Sequence, residues 1–170
     1  ELLVIAPSVR GKGLGRALGD YVLKRGRNKK LSVLAACARL GVPCTVHVAI
    51  GTDITHMHPA ASGAAIGEAS LRDFRYFTSC IGRLNGGVYL NCGSAVVLPE
   101  VFLKAVALVR NQGMPLDGLT TVNIDFLRMY RPHTNVVIRP VAGTGGAGIS
   151  LVGHHEILIP LLAAALIESA

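Results

Sequence analysis

The sequence predicts an α/β fold built on an open, mostly parallel sheet with helices on both faces. Two observations carry this expectation. Short apolar runs rich in β-branched residues alternate with longer segments of helical periodicity, a spacing that belongs to parallel sheets with helical crossovers. Two of those runs also empty into small polar turns: Cys44–Ile50 into Gly51-Thr52-Asp53, and Val88–Leu90 into Asn91-Cys92-Gly93-Ser94. A strand that ends in such a turn leaves backbone N–H groups at the carboxyl edge of the sheet, where open α/β sheets bind nucleotides and other anions.

The elements follow in order. Residues 15–26 place Leu18, Tyr21 and Val22 on one side and suit a helix, and the Ala-rich run 31–40 is a second, ended by Gly41-Val42-Pro43. Cys44–Ile50 is β-branched and nearly continuous, as a strand buried on both faces should be. From Ser62 or Gly63 to Leu84, the residues Ile66, Leu71, Phe74, Phe77 and Ile81 recur near helical spacing, and Asn85-Gly86-Gly87 stops that helix. The strand Val88–Leu90 then leads through its turn to a helix from about Pro99 to Arg110. Leu119–Ile124 reads as a third strand and Asn135–Ile138 as a short fourth, bounded by Pro140. Gly143–Gly148 reads as a flexible loop, and His155–Glu168 closes the chain as an apolar helix with Pro160 in its early part.

At 170 residues the chain is expected to be one domain, residues 1–170, large enough for a substantial core. It begins at Glu1 in the middle of a pattern, which reads as the C-terminal fragment of a longer protein. Hydrophobic residues make up 51% and charged residues 16%, yet no stretch approaches the roughly 18 apolar residues of a membrane helix. No membrane partner is expected, and the apolar surplus points to a homo-oligomer interface. The net charge of +7 gathers early, in Arg10, Lys12, Arg16, Lys24, Arg25, Arg27, Lys29 and Lys30. With no Trp, four Tyr and four Phe there is little on which bases can stack, so the expectation is a solvated basic face rather than a nucleic-acid surface. The cysteines Cys37, Cys44, Cys80 and Cys92 form no CxxC pair, and no signal peptide is visible; they read as reduced thiols of a cytoplasmic protein.

The chemistry-bearing residues gather in the turns. Asp53 suits a ribose hydroxyl or an amine, and equally an Asx turn or helix cap. His47, His56 and His58, with the distant His154-His155-Glu156, invite a metal reading, but no spacing matches a ligand motif such as HExxH. No metal is therefore expected; His56, His58 and Glu156 stand as candidates for proton transfer. Arg128, Arg131 and Arg139, around Tyr130-Arg131-Pro132, could hold a phosphate or carboxylate or serve as structural ion-pair partners. The segment Val9–Leu18, with Gly11, Gly13 and Gly15, resembles the acyl-CoA pyrophosphate loop of GNAT-type acetyltransferases, although almost nothing precedes it and about 150 residues follow.

From about Leu31 to the end, the order of features resembles the C-terminal half of deoxyhypusine synthase and its bacterial relatives. Gly51-Thr52-Asp53 is similar to that family's Thr-Asp-Gly turn, whose Asp lies at the NAD site. The run Gly86–Val97 is similar to its strand and Gly-rich turn, Thr121-Val122-Asn123 to its Ile-Asn-Thr strand, and Ile159-Pro160-Leu161-Leu162 to its closing Phe-Pro-Leu-Leu helix. The resemblance implies a Rossmann-like NAD-binding fold, with NAD across Gly51, Thr52, Asp53, Asn91, Gly93 and Ser94 and with His154 nearby. The chain departs from the family where its imine-forming lysine belongs, since Asn135–Val141 holds Arg139 and no lysine. A permanently protonated guanidinium cannot form an imine. The paired histidine after the Gly-rich turn is also replaced, by Leu98-Pro99-Glu100.

The expected function is that of a divergent deoxyhypusine synthase-like protein that binds NAD and acts on a small amine or polar metabolite. The alternatives are an acetyltransferase using Val9–Leu18, and a non-catalytic binding or structural module.

Overall fold

The computed structural model describes residues 11–169, which fall into two compact units, one ending at Phe77 and the other running from Thr78. Residues 1–10, including the opening Leu2–Pro7 run and the first part of the Val9–Leu18 segment, and Ala170 lie outside the described residues.

In the first unit, α1 (Leu14–Arg25) and α2 (Val33–Leu40) pack as a hairpin, joined through a 3₁₀ turn at Lys29–Leu31. The helices approach closely because Gly19 faces the Leu34 carbonyl; a Cβ there would lie 2.7 Å from that oxygen and 3.2 Å from the Ala38 methyl. Ser32 caps α2 by accepting from the Ala35 amide at 3.3 Å, and Gly41, at φ +69°, ends it in the left-handed conformation. α3 (Gly63–Ile81) buries Ala65, Ile66 and Ala69, and its last turn belongs to the second unit.

Asp73 of α3 ties the first unit together. Only 3% exposed, it accepts from the Gly15 amide in the first turn of α1 and from the Val46 amide, both at 2.8 Å. A carboxylate at a helix start satisfies amides that have no partner within the helix and lies at the positive end of its dipole. Among the described residues, the predicted strand at Cys44–Ile50 has no ladder partner. β-branched residues favour extended backbone, but a strand exists only where another strand accepts its hydrogen bonds, and here the Val46 amide is taken by a side chain.

The second unit holds the sheet. Its described strands are β1 (Val88–Cys92), β2 (Thr120–Asp125) and β3 (Gly148–Val152), all parallel and in the order β1-β2-β3. The register sets Asn91 beside Asn123 and Ser150, and Cys92 beside Ile124 and Leu151. α4 (Val97–Asn111) crosses from β1 to β2 and buries Phe102, Ala105, Val106 and Val109. Phe102 lies flat on Tyr89 with ring centroids 3.6 Å apart. α6 (His155–Glu168) follows β3 and touches β2. The α/β class with an open parallel sheet is therefore as expected, and the sheet is compatible with a Rossmann-like arrangement.

Two local expectations are corrected in this unit. The predicted fourth strand, Asn135–Ile138, is helical: α5 (Tyr130–Pro132) continues into a π-type turn at His133–Ile138 and a 3₁₀ turn at Arg139–Val141. An apolar run this short carries no periodicity to separate strand from buried helix. Helix wins because it buries Val136 and Val137 while Thr121 donates to the Val136 carbonyl at 2.6 Å. The sequence predicts no strand after that segment, but β3 (Gly148–Val152) starts where the expected Gly143–Gly148 loop ends. The glycines there serve close packing, since a Cβ on Gly146 would collide with the Leu119 carbonyl and one on Gly148 with the Val137 carbonyl. Among the described residues no helix is long and apolar enough to cross a membrane.

Candidate functional site

Three chain reversals meet at the carboxyl edge of the sheet in the second unit. The first is Asn91–Ser94, leading from β1 to α4. Asn91, 2% exposed, donates through Nδ2 to Asn123 Oδ1 at 2.7 Å and to the Ser94 carbonyl at 2.9 Å. One amide thus ties the end of β1 to the middle of β2 and folds the turn back on itself. Gly93 takes φ +69°, a region an L side chain enters only with strain, and its N–H donates to the Ile124 carbonyl at 3.0 Å. Ser94 Oγ accepts from the Leu98 amide at 3.2 Å and so caps α4. Among the described residues, the backbone N–H groups of Ser94, Ala95, Val96 and Val97 donate to nothing. They line the turn and the start of α4, the arrangement that receives a phosphate or carboxylate.

The second reversal follows β2. Asp125, 6% exposed, accepts from the Phe126 amide at 2.8 Å, and beyond it Arg128 reaches Nε2 of His133 at 2.8 Å. Glu100, in the first turn of α4, accepts from Asn135 Nδ2 at 2.8 Å and pairs with Arg131 at 3.7 Å, while Arg139 donates to Asn135 Oδ1 at 3.2 Å. Arg131 and Arg139 therefore serve a structural network around Glu100.

The third reversal follows β3. Gly153 donates to the Asp125 carbonyl at 3.0 Å; His154 then leads into α6 with its ring parallel to Phe126, centroids 6.1 Å apart. His155 turns the other way. Its Nε2 lies 3.0 Å from the Ile124 carbonyl, the oxygen that also accepts from Gly93. A carbonyl can only accept, so Nε2 carries a proton, and in the neutral ring the lone pair lies on Nδ1. Cys92 sits at the end of β1, where burial pushes its thiol above the usual range. Glu156 is exposed in the first turn of α6.

Of the expected site residues, Asn91, Gly93, Ser94, His154 and Glu156 thus belong to the second unit, and the first four lie at this edge. Asp125 was not singled out in the sequence, and Asn123 and His155 stood there only inside the motifs Thr121-Val122-Asn123 and His154-His155-Glu156, with no role of their own. The part Asn123 plays depends on the register that sets it beside Asn91.

Gly51, Thr52, Asp53, His56 and His58 belong to the first unit and form a self-closed loop. Asp53 caps the 3₁₀ turn Ile54–Met57: its Oδ1 accepts from the Thr55 amide and from the Thr55 hydroxyl, each at 2.8 Å. Those hydrogen bonds hold its carboxyl below the ordinary aspartate range. The Gly51 amide donates to His56 Nδ1 at 3.1 Å, and the Ala60 amide to His58 Nδ1 at 3.2 Å. Each imidazole therefore commits its lone pair to the backbone, which leaves it a donor through Nε2; the His56 Nε2 is buried without a partner. Among the described residues no group of three or more His, Cys, Asp or Glu side chains could hold a metal ion.

The described part of the acyl-CoA-like segment starts α1 at Leu14. The Gly15 amide, one of the donors that would face a pyrophosphate, is already bonded to the buried Asp73 carboxylate. A phosphate there would meet a like charge.

Comparison of the chain with protein-family models, with curated proteins and with solved structures finds no match in any of the three.

Proposed function

We propose that this chain is a divergent relative of the deoxyhypusine synthase family, that it binds NAD at the carboxyl edge of β1-β2-β3, and that it acts on a small amine or polar metabolite. The observation that carries the reading is the run of four free amides, Ser94 to Val97, at the end of a parallel strand and the start of α4. Such amides fit the pyrophosphate of a dinucleotide, and the dipole of α4 adds to the attraction. NAD, when bound, supplies a hydride acceptor. The chain's own contribution is to bind and orient: Asn91 holds the turn, Ser94 fixes the helix start, and the exposed His154 ring offers a donor or a stacking face. His155 Nδ1 is the lone pair at this edge with the best-defined direction, because Nε2 is held by Ile124. Arg139 in place of a lysine removes imine formation from the reaction, which leaves redox or transfer chemistry without a covalent amine adduct. The homo-oligomer that the reading includes is supported by the apolar side chains α6 leaves in solvent, among them Ile157, Leu161, Leu166 and Ile167.

Titration calorimetry of the purified chain with NAD tests this reading. Saturable binding is expected, abolished by Ala95→Glu, which sets a carboxylate among the free amides, and weakened by His154→Ala. Lack of NAD binding by the unaltered chain, or binding that Ala95→Glu leaves intact, sinks it.

A further inference from the structure

The tip of the α1–α2 hairpin has no role in the reading above. Residues 1–77 hold 11 of the 17 Lys and Arg but only 5 of the 10 acidic residues, so the chain's positive charge lies almost wholly in the first unit. Five of those cations fall within the seven residues Lys24–Lys30: Lys24 and Arg25 in the last turn of α1, then Arg27, Lys29 and Lys30 in the connection to α2. All five are exposed, and the chain has no acidic residue from Tyr21 to Thr52. Lys12 and Arg16 are different, since both pair with Asp20. Among the described residues, Lys24, Arg27, Lys29 and Lys30 enter no ion pair.

The same tip carries aliphatic side chains in solvent. Leu31, at the end of the 3₁₀ turn, is 87% exposed, and Val33, at the start of α2, is 74% exposed. An aliphatic pair in a convex turn, next to five cations, has the composition of a surface that lies in the headgroup layer of an anionic membrane: the cations meet phosphate and serine headgroups while the aliphatics enter the acyl boundary. Single-stranded nucleic acid fits the charge but not the apolar part. The tip itself has no Phe, Tyr or Trp, and Tyr21, one turn back in α1, is the single such residue between Glu1 and Asp73, so bases have little on which to stack.

We infer that the α1–α2 tip, Lys24–Val33, docks on anionic phospholipid membranes, with Leu31 and Val33 inserted and Lys24, Arg27, Lys29 and Lys30 on the headgroups. This is peripheral contact by one turn of chain.

Vesicle flotation tests it, using the intact chain with vesicles of 70% phosphatidylcholine and 30% phosphatidylserine, and with phosphatidylcholine alone. The chain should float with the mixed vesicles and not with the neutral ones. Lys29→Glu/Lys30→Glu should lower the partition coefficient by at least tenfold, from about 1 kcal/mol per cation at such a surface. Leu31→Asn, which leaves the charge unchanged, should lower it about tenfold, the effect of one leucine returned to water. Arg83→Glu/Lys104→Glu, a charge-matched change in the second unit, should leave binding unchanged, and circular dichroism should be unaltered in every variant because the positions are exposed. Failure to float with the mixed vesicles overturns the inference. So does binding indifferent to Lys29→Glu/Lys30→Glu or to Leu31→Asn. Capture of single-stranded RNA without vesicle binding, lost in the tip variant, would assign the tip to nucleic acid and overturn it equally.

Discussion

Gly93 and His155 share one acceptor. The Gly93 amide and the His155 imidazole both donate to the carbonyl of Ile124, each at 3.0 Å, so the end of β1 and the start of α6 are pinned to the same point on β2. The ring lies directly over the glycine, and a Cβ at Gly93 would sit 3.2 Å from His155 Cε1. This contact, with φ +69° at Gly93, makes the turn intolerant of a side chain.

Gly93→Ala should therefore destabilise the second unit by about 1–2 kcal/mol, the usual cost of a left-handed L residue. Urea unfolding measures it. Adding His155→Ala to Gly93→Ala should recover only the part due to the ring contact. Full recovery in the double variant would mean that the backbone conformation carries no strain.

Phe102→Ala should cost about 3–5 kcal/mol, because the ring is fully buried and lies flat on Tyr89, where a large cavity would remain. A loss below about 1 kcal/mol, read from chemical denaturation, would mean that the two rings do not pack in this way.

Asn91→Ala should cost about 1–3 kcal/mol, since it leaves the buried Asn123 oxygen without its donor. Asn91→Ala/Asn123→Ala should cost less than the sum of the two single changes. Additive losses would show that the amides do not act as a pair.

Burial lowers the pKa of His47, which stands edge-on to Phe77 at 5.2 Å, and the nearby Asp73 opposes that shift only in part. A folded value below the ordinary one, about 6.5, means that the unfolded chain binds the proton more readily. The stability this residue contributes is present above about pH 6.5 and is lost as pH falls through the lowered folded value. Urea midpoints at pH 7.5 and pH 5 should thus differ, and His47→Phe should flatten the difference. An unchanged pH slope in that variant would assign the acid sensitivity to other groups.

If NAD binds as proposed, it should also raise the melting temperature; at 100 times its Kd the stabilisation is about 2.7 kcal/mol. Acetyl-CoA should give no comparable shift, because Asp73 already occupies the Gly15 amide.

Periodicity and turn chemistry by themselves determined the alternation of elements. The closing helix runs from His155 to Glu168 as its apolar run implies, and β1, α4 and β2 lie within a few residues of their expected bounds. The turn Asn91–Ser94 was legible as the turn between β1 and α4 because its small polar residue types suit a strand end. What only tertiary structure decided was where short segments find partners. Cys44–Ile50 has strand composition, but its Val46 amide meets the Asp73 side chain instead of a neighbouring strand. Asn135–Ile138 has strand composition too, yet buries Val136 and Val137 as a helical turn against β2. The His155–Gly93 contact and the Asn91–Asn123 bond join residues 62 and 32 positions apart in the chain. No local pattern encodes such pairs, because they follow from strand register, and register is settled only when the whole sheet chooses which side chains to bury.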